Sequence, residues 1–371
     1  MLWNVLGKDV VVVGAGFYGL YAALTALNSG WNVTVFEARK NAMAGASSFN
    51  QARIHGGYHY PRALVTAKRS RFHYPTFCKD FSDAVIENSL STYLIAKESK
   101  VTARRFERFA QIIDAPLQPV SSQVRNLIDW NSVEAGYQVQ ESVFDSSRIR
   151  DLLINKIQEL GGIVVFETKV LDVRQSDNEH LGGYVNVVTS SGEERFSAAI
   201  ICTYGFSLNI CEEVSFQSEI EAEICEMVLV DLPPELNELA ITVMDGPFWS
   251  LTPFPLMEGH VLSSVRHTPH QRFRSPDDAN EKLSAQSALL SRGDLMLRDS
   301  AKHVPFMKTL RIRASLWGVK VVPSTKDFSD ARPILVKQNK LILSILGSKL
   351  DNVYDAAAVV SAFLNANLRV K

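Results

Sequence analysis

The chain has 371 residues, 46% of them hydrophobic and 21% charged, with a formal net charge of -1. This is the composition of an ordinary globular protein with room for two domains, and near-neutral charge gives no electrostatic case for nucleic acid or an anionic membrane surface. No apolar run approaches the roughly 18 residues of a spanning helix, and Cys78, Cys202, Cys211 and Cys225 lack the spacing of a metal site or disulfide framework.

The first strand is expected at Val10–Val13, a β-branched run suited to burial on both faces. It starts close to Met1, leaving no room for a cleaved leader, so reduced buried thiols and a cytoplasmic location are expected. The strand ends in Gly14-Ala15-Gly16-Phe17-Tyr18-Gly19, a G-x-G-x-x-G turn. Helical spacing of Leu20, Ala23, Leu24 and Leu27 follows, with Gly30 as its stop and a second strand over Asn32–Phe36. Gly14 permits the tight turn, Gly16 lets a pyrophosphate approach the backbone, and Gly19 lets helix and strand pack closely. The helix N-terminus offers unpaired N–H groups to phosphates, and Glu37 is placed to accept hydrogen bonds from an adenosine ribose. Strand, glycines, helix, strand and acid in this order point to a dinucleotide site.

Small residues from Asn41 give way to a polar and aromatic cluster ending at Arg62. Arg53, His55, His59 and Arg62 concentrate donors there, and Gly56-Gly57 permits close backbone approach to a flat ligand.

The opening unit, Gly45-Ala46-Ser47-Ser48 and Ile54-His55-Gly56-Gly57 resemble the flavin-dependent D-amino-acid oxidase superfamily. The last segment is most similar to its glycerol-3-phosphate dehydrogenase and L-2-hydroxyglutarate oxidase branches. The resemblance implies an α/β architecture: a Rossmann-like FAD-binding domain with a mixed, mainly parallel sheet, and a smaller antiparallel substrate domain. It implies non-covalent FAD, with Gly14, Gly16, Phe17, Tyr18, Gly19, Glu37, Ala38 and Arg39 on the adenosine side and Ser47 and Ser48 at the pyrophosphate. Asn50, Gln51, Arg53, Ile54 and His55 then fall beside the flavin.

Further along, Val65–Ala110 reads as helices with Phe72, Phe77, Phe81, Phe106 and Phe109 inward, interrupted by a strand at Ser91–Ala96. Lys68, Arg69 and Arg71 read as a solvated helix face. Asp145 caps a helix over Arg148–Leu160, followed by strands at Ile163–Phe166 and Thr168–Val173, a hairpin across Ser190-Ser191-Gly192-Glu193, and a buried strand at Ala198–Thr203. By the same resemblance, Val170 falls beside the adenine, and Thr203, Tyr204 and Gly205 fall where a strand end approaches the dinucleotide. Alternation over Glu219–Asp231, Ala240–Met244, Trp249–Pro253 and His260–His267 predicts an antiparallel sheet with one covered face. Asp277–Asp299 and His303–Leu316 read as helices.

The tail reads as strand, glycine turn, then a helix over Val353–Leu364. Gly347-Ser348-Lys349 resembles the Gly-Gly-Lys of the glycerol-3-phosphate branch, and with Leu350 is expected at the flavin pyrimidine. Lys349 is then either a cation beside the reduced flavin or a solvent-facing loop lysine. The expected domains are 1–75, 140–215 and 325–371 for FAD, and 76–139 with 216–324 for substrate.

The implied chemistry is hydride transfer from a small-molecule substrate to flavin N5, with oxygen or another carrier accepting the electrons. Three readings stand: oxidation at a carbon bearing an amine, oxidation of a hydroxy acid or sugar-like alcohol, or an NAD-binding Rossmann protein without redox chemistry. His55 or His59 is expected to take a substrate proton, or His55 simply to bond the flavin edge. Arg53, Arg62, Arg266 and Lys349 are candidate clamps for an anionic substrate, His267 lies beside Arg266, and Tyr58, Tyr60 and Trp249 are candidate pocket walls. No metal is expected.

Overall fold

The computed structural model describes residues 7–87, 90–176, 183–206, 210–246, 248–285, 289–324, 334–347 and 349–367. Two sheets dominate it. The first has six strands in the order Leu335–Asn339, Ile342–Leu346, Ala198–Ile201, Asp9–Val13, Asn32–Phe36 and Ile163–Val165. All neighbours are parallel except the first pair, which is antiparallel.

Period-two alternation decides what covers this sheet. Val10, Val12, Val33 and Val35 pack into one core with residues of helices Phe17–Asn28, Ser146–Glu159 and Val353–Asn367. Val11, Val13 and Phe36 face a three-stranded antiparallel layer, where they meet Val173, Val185 and Val187. The run of valines is therefore apolar on both sides because both sides are covered.

The second sheet has nine strands. Eight run in the order Pro269–Phe273, Ile220–Val230, Gly259–Ser264, Trp249–Phe254, Leu239–Met244, Leu90–Ala96, Val133–Val139 and Leu117–Pro119. The ninth, Ile312–Pro323, pairs antiparallel along the whole of Ile220–Val230. This sheet departs from expectation in three ways. It contains one parallel pair, Leu239–Met244 with Leu90–Ala96. Both its faces are covered: Leu229 and Val261 join the core of the first sheet, while Val228 and Leu262 join a core with Met296, Leu297, Val304 and Met307. And Ile312–Leu316 belongs to a strand, the preceding turns being only the 3-10 segment Pro305–Thr309.

Other expectations adjust locally. Helices occupy Pro276–Ser284 and Gly293–Ser300 rather than one stretch to Asp299. Phe72 is exposed, its helix Leu64–Asp80 burying Tyr74 and Phe77 instead. The four cysteines are free, with Cys202, Cys211 and Cys225 buried and Cys78 half-buried. Among the described residues no helix is long and apolar enough to cross a membrane, and no cluster of His, Cys, Asp and Glu suits a metal.

Candidate functional site

The glycine turn at the end of Asp9–Val13 is built as its spacing requires. Gly14 has φ of 96°, and a Cβ there would stand 2.8 Å from the Cys202 carbonyl. A Cβ on Gly19 would overlap the Gly14 carbonyl oxygen, so only glycine lets the helix start this close to the strand. Glu37 is held at the end of the next strand, its carboxylate accepting from the N–H of Ala15 at 2.7 Å and of Arg39 at 2.9 Å. Each carboxylate oxygen keeps further acceptor capacity.

Distant segments close on this turn. The Phe17 N–H donates to Ser47 Oγ at 3.0 Å, and the Met43 N–H to the Ala15 carbonyl at 2.8 Å. The Arg39 guanidinium lies over Gly45, 3.0 Å from a Cβ built there. The Thr168 N–H donates to the Glu37 carbonyl at 2.9 Å, bringing the chain just before Val170 alongside; the Val170 side chain itself is core. From the C-terminus, the Lys349 carbonyl accepts the Tyr18 hydroxyl, and Gly347 is pressed against the Tyr18 ring. Ser348 lies outside the described residues. Asn50 ties its own loop, donating to the Ser47 carbonyl and accepting the Ala52 N–H, while Ser48 donates to the Met43 carbonyl. Ala52 is buried at φ of 51°, an unfavourable conformation for alanine that these bonds hold in place.

Beyond this loop sits a buried polar cluster. Arg53 and Ile54 form a short strand against Ser142–Phe144. Ile54 points into the main core, and Arg53 points to Glu141, with Nε 3.9 Å from Oε2, and to the Tyr93 hydroxyl at 3.4 Å. Glu141 was not among the residues singled out by sequence. Its Oε1 accepts the Gly56 N–H at 3.0 Å and its Oε2 the Tyr93 hydroxyl at 3.0 Å. Burial pushes the Glu141 carboxyl up, against the opposing pull of Arg53.

The His55 and His59 rings lie 5.0 Å apart, both close to Tyr60. Burial holds both imidazoles well below their ordinary range, reinforced for His55 by Lys349 and Arg53 and for His59 by His55 and Arg53. His55 keeps 19% of its side chain exposed, yet its Nδ1 is sealed and stands 3.6 Å from Glu141 Oε1. Lys349 is not a solvent-facing lysine. Its Nζ bonds Ser70 Oγ, pairs with Asp351 at 3.2 Å and sits 4.3 Å over the Tyr60 ring.

Several expected residues fall elsewhere. Trp249 lies on the far face of the second sheet, its Nε1–H donating to His303 Nδ1 at 3.3 Å. Arg266 and His267 both pair with Asp299 on helix Gly293–Ser300, on that same side. Tyr58 is fully buried and donates to the Pro116 carbonyl, so it is a core residue beneath the cluster rather than a wall. Arg62 pairs with Asp245 at 2.6 Å. Tyr204 and Gly205 make a joint with the second sheet: the Tyr204 hydroxyl accepts the Val321 N–H, and a Gly205 Cβ would crowd Val321 and Ile220.

Four buried polar atoms along this path have no hydrogen-bond partner among the described residues: Thr203 Oγ1 next to Gly14, then Arg53 Nη2, His55 Nδ1 and His59 Nδ1. A buried polar group left unpaired costs roughly 1–3 kcal/mol, so the path suits a polar ligand. Acid, helix N-terminus and hydroxyls, then orphaned nitrogens, match ribose, pyrophosphate and a heteroaromatic ring in sequence, which fits FAD.

A family model described as DAO, FAD dependent oxidoreductase, matches residues 9–345. The FAD-dependent monooxygenase FPY4 of Fusarium mangiferae is 24% identical over 369 residues, spanning 93% of this chain and 88% of that protein. Among solved structures, glycine oxidase from Geobacillus kaustophilus superposes with a TM-score of 0.67 at 16% identity, covering 98% of this chain and 95% of that one. The dithionite-reduced L-alpha-glycerophosphate oxidase from Mycoplasma pneumoniae with FAD bound gives 0.68 at 15%, covering 98% and 94%. At these identities the two structures speak for the fold.

Proposed function

The chain belongs to the DAO family of FAD-dependent oxidoreductases, and on that footing we propose that it oxidises a small molecule at a carbon bearing an amine. Bound FAD supplies the acceptor for the hydride leaving that carbon. The chain's own residues bind and orient. Gly14, Gly16 and the start of helix Phe17–Asn28 would hold the pyrophosphate with Ser47, and Glu37 the ribose. Asn50, Gln51, Arg53 and His55 would lie along the flavin, with Lys349 at its far edge.

The observation that carries the amine reading is the burial of the two histidine rings, 5.0 Å apart, beside Arg53 and Lys349. Burial, the largest cause, holds both imidazoles well below their ordinary range, and the same desolvation favours a substrate amine in its neutral form. A neutral amine already carries the lone pair that replaces the departing hydride, so it needs no strong base. Alcohol oxidation is the second reading, supported by the His55 imidazole, which keeps 19% of its side chain exposed and in its neutral form can take a hydroxyl proton.

Anaerobic mixing of the yellow holoenzyme with amino acids, amines, amino sugars, hydroxy acids and polyols tests the reading. Amines are expected to bleach the flavin. Bleaching by alcohols alone overturns the proposal in favour of the second reading. Oxygen uptake with peroxide release then separates an oxidase from a dehydrogenase.

A further inference from the structure

Every cation that sequence offered as a substrate clamp already has a carboxylate. Arg53 faces Glu141 at 3.9 Å, Lys349 pairs with Asp351 at 3.2 Å, Arg62 with Asp245 at 2.6 Å, and Arg266 with Asp299 at 3.5 Å. The first two pairs have side chains at most 6% exposed, so their charges are cancelled inside the protein rather than by solvent. At Lys349 an incoming anion would have to displace a buried carboxylate, and at Arg53 it would meet the one unpaired nitrogen, Nη2, of a guanidinium that Glu141 already balances.

The face of the second sheet turned toward the cofactor loop, residues 43–52, carries the same message. Strand registers put Ser250 opposite both Thr242 and Ser263, with Thr252 one pleat along. All four are buried. Thr252 donates to the Gln51 carbonyl at 3.1 Å and Gln51 Nε2 donates to Ser263, which fixes this row against the loop beside the flavin position. The remaining residues of that face on the three strands are Ala240, Met244, Phe254, Gly259 and Val261, so none is charged. Ser250 donates to Thr242 at 3.3 Å, and the hydroxyl protons of Thr242 and Ser263 have no acceptor among the described residues. They remain free to bond a ligand oxygen or nitrogen.

We propose that the substrate bears no carboxylate or phosphate, being instead a hydroxylated amine of amino-sugar type recognised by the Thr242–Ser250–Ser263 hydroxyls. This rests on the amine reading only for the identity of the nitrogen; the absence of an anionic group follows from the charge balance alone.

The test is binding to oxidised holoenzyme, read as perturbation of the flavin spectrum. Matched pairs differ in one group: D-glucosamine against D-glucosaminate, serinamide against serine, D-glucose against D-gluconate. The neutral or cationic member is expected to bind at least tenfold more tightly, and the Thr242→Arg variant to narrow or reverse that ratio by gaining affinity for the acids. Ser263→Ala is expected to weaken glucosamine binding several-fold with FAD retained. A carboxylate binding more tightly in any pair, or failure of every uncharged or amine member to bind at tens of millimolar, overturns the proposal. If glucose binds and glucosamine does not, charge neutrality stands and the amine reading falls.

Discussion

Gly347 illustrates how one atom decides the site. A Cβ there would overlap the Tyr18 ring, and Tyr18 cannot retreat without losing its bond to the Lys349 carbonyl. Gly347→Ala is therefore expected to cost roughly 1–3 kcal/mol, as overpacking does, and to release FAD on gel filtration. Tyr18→Ala should relieve it, the double variant being more stable than the two single losses add up to; simple additivity would show that the two residues do not meet. The need for glycine at 347 was legible from the motif, but its cause was not, because contact between residues 18 and 347 exists only after the sheet closes. Glu141 was illegible for a related reason. An acid between a glutamine and a serine carries no pattern, and only strand Ser142–Phe144, pairing beside Arg53, turns it inward to Gly56 and Tyr93.

Among the elements, helix Gly293–Ser300 is anchored to the second sheet not only through Asp299 but also by a buried carboxylate beside its start. Glu226 has no exposed surface, and its oxygens accept from His270 Nε2 at 2.9 Å, the Arg292 N–H at 2.8 Å, Ser315 Oγ at 2.6 Å and Ser291 Oγ. Burial pushes this carboxyl up, but the hydrogen bonds from Ser291, Ser315, Arg292 and His270 together bring it below its ordinary value. A carboxyl lowered in the fold stabilises fully above its unfolded pKa of about 4.3, and that contribution is lost as pH falls through the folded value. Glu226→Gln should accordingly lower stability at pH 7 and reduce the loss of stability on acidification below about pH 4; urea melts across that range measure both, and an unchanged pH slope would refute it. Strands themselves were readable where apolar and polar residues alternate. Faces were not, since a shift of one residue exchanges them, which is how Trp249 came to lie on the side away from the cofactor loop. Ile312–Leu316 was misread because Val304, Met307 and Leu310 keep helical spacing into it, while pairing with all of Ile220–Val230 favours the strand.

At the scale of the whole molecule, the cofactor loop is the seam between the two sheets. Phe49 lies against Gly318 of the long strand, Gln51 bonds Ser263 and Thr252, and from the other side Ser47 and Met43 bond the glycine turn. The opening βαβ unit was legible because each of its signals is local. This seam was not, since its partners lie some 200 residues apart in the chain. FAD held as proposed would touch the first sheet at its phosphates and the loop at its ring, and would so favour the native state over the unfolded chain. Stability should then rise by RT ln(1 + [FAD]/Kd), about 2.7 kcal/mol at a hundredfold excess over Kd, with the melting temperature climbing as the logarithm of free FAD. Gly318→Val inserts methyl groups where the Phe49 ring now rests. It is expected to weaken FAD binding at least tenfold while leaving far-ultraviolet circular dichroism unchanged, because the strand keeps its backbone pairing with Cys225. Retention of wild-type FAD affinity in that variant would mean that the loop finds its cofactor-binding shape without the second sheet.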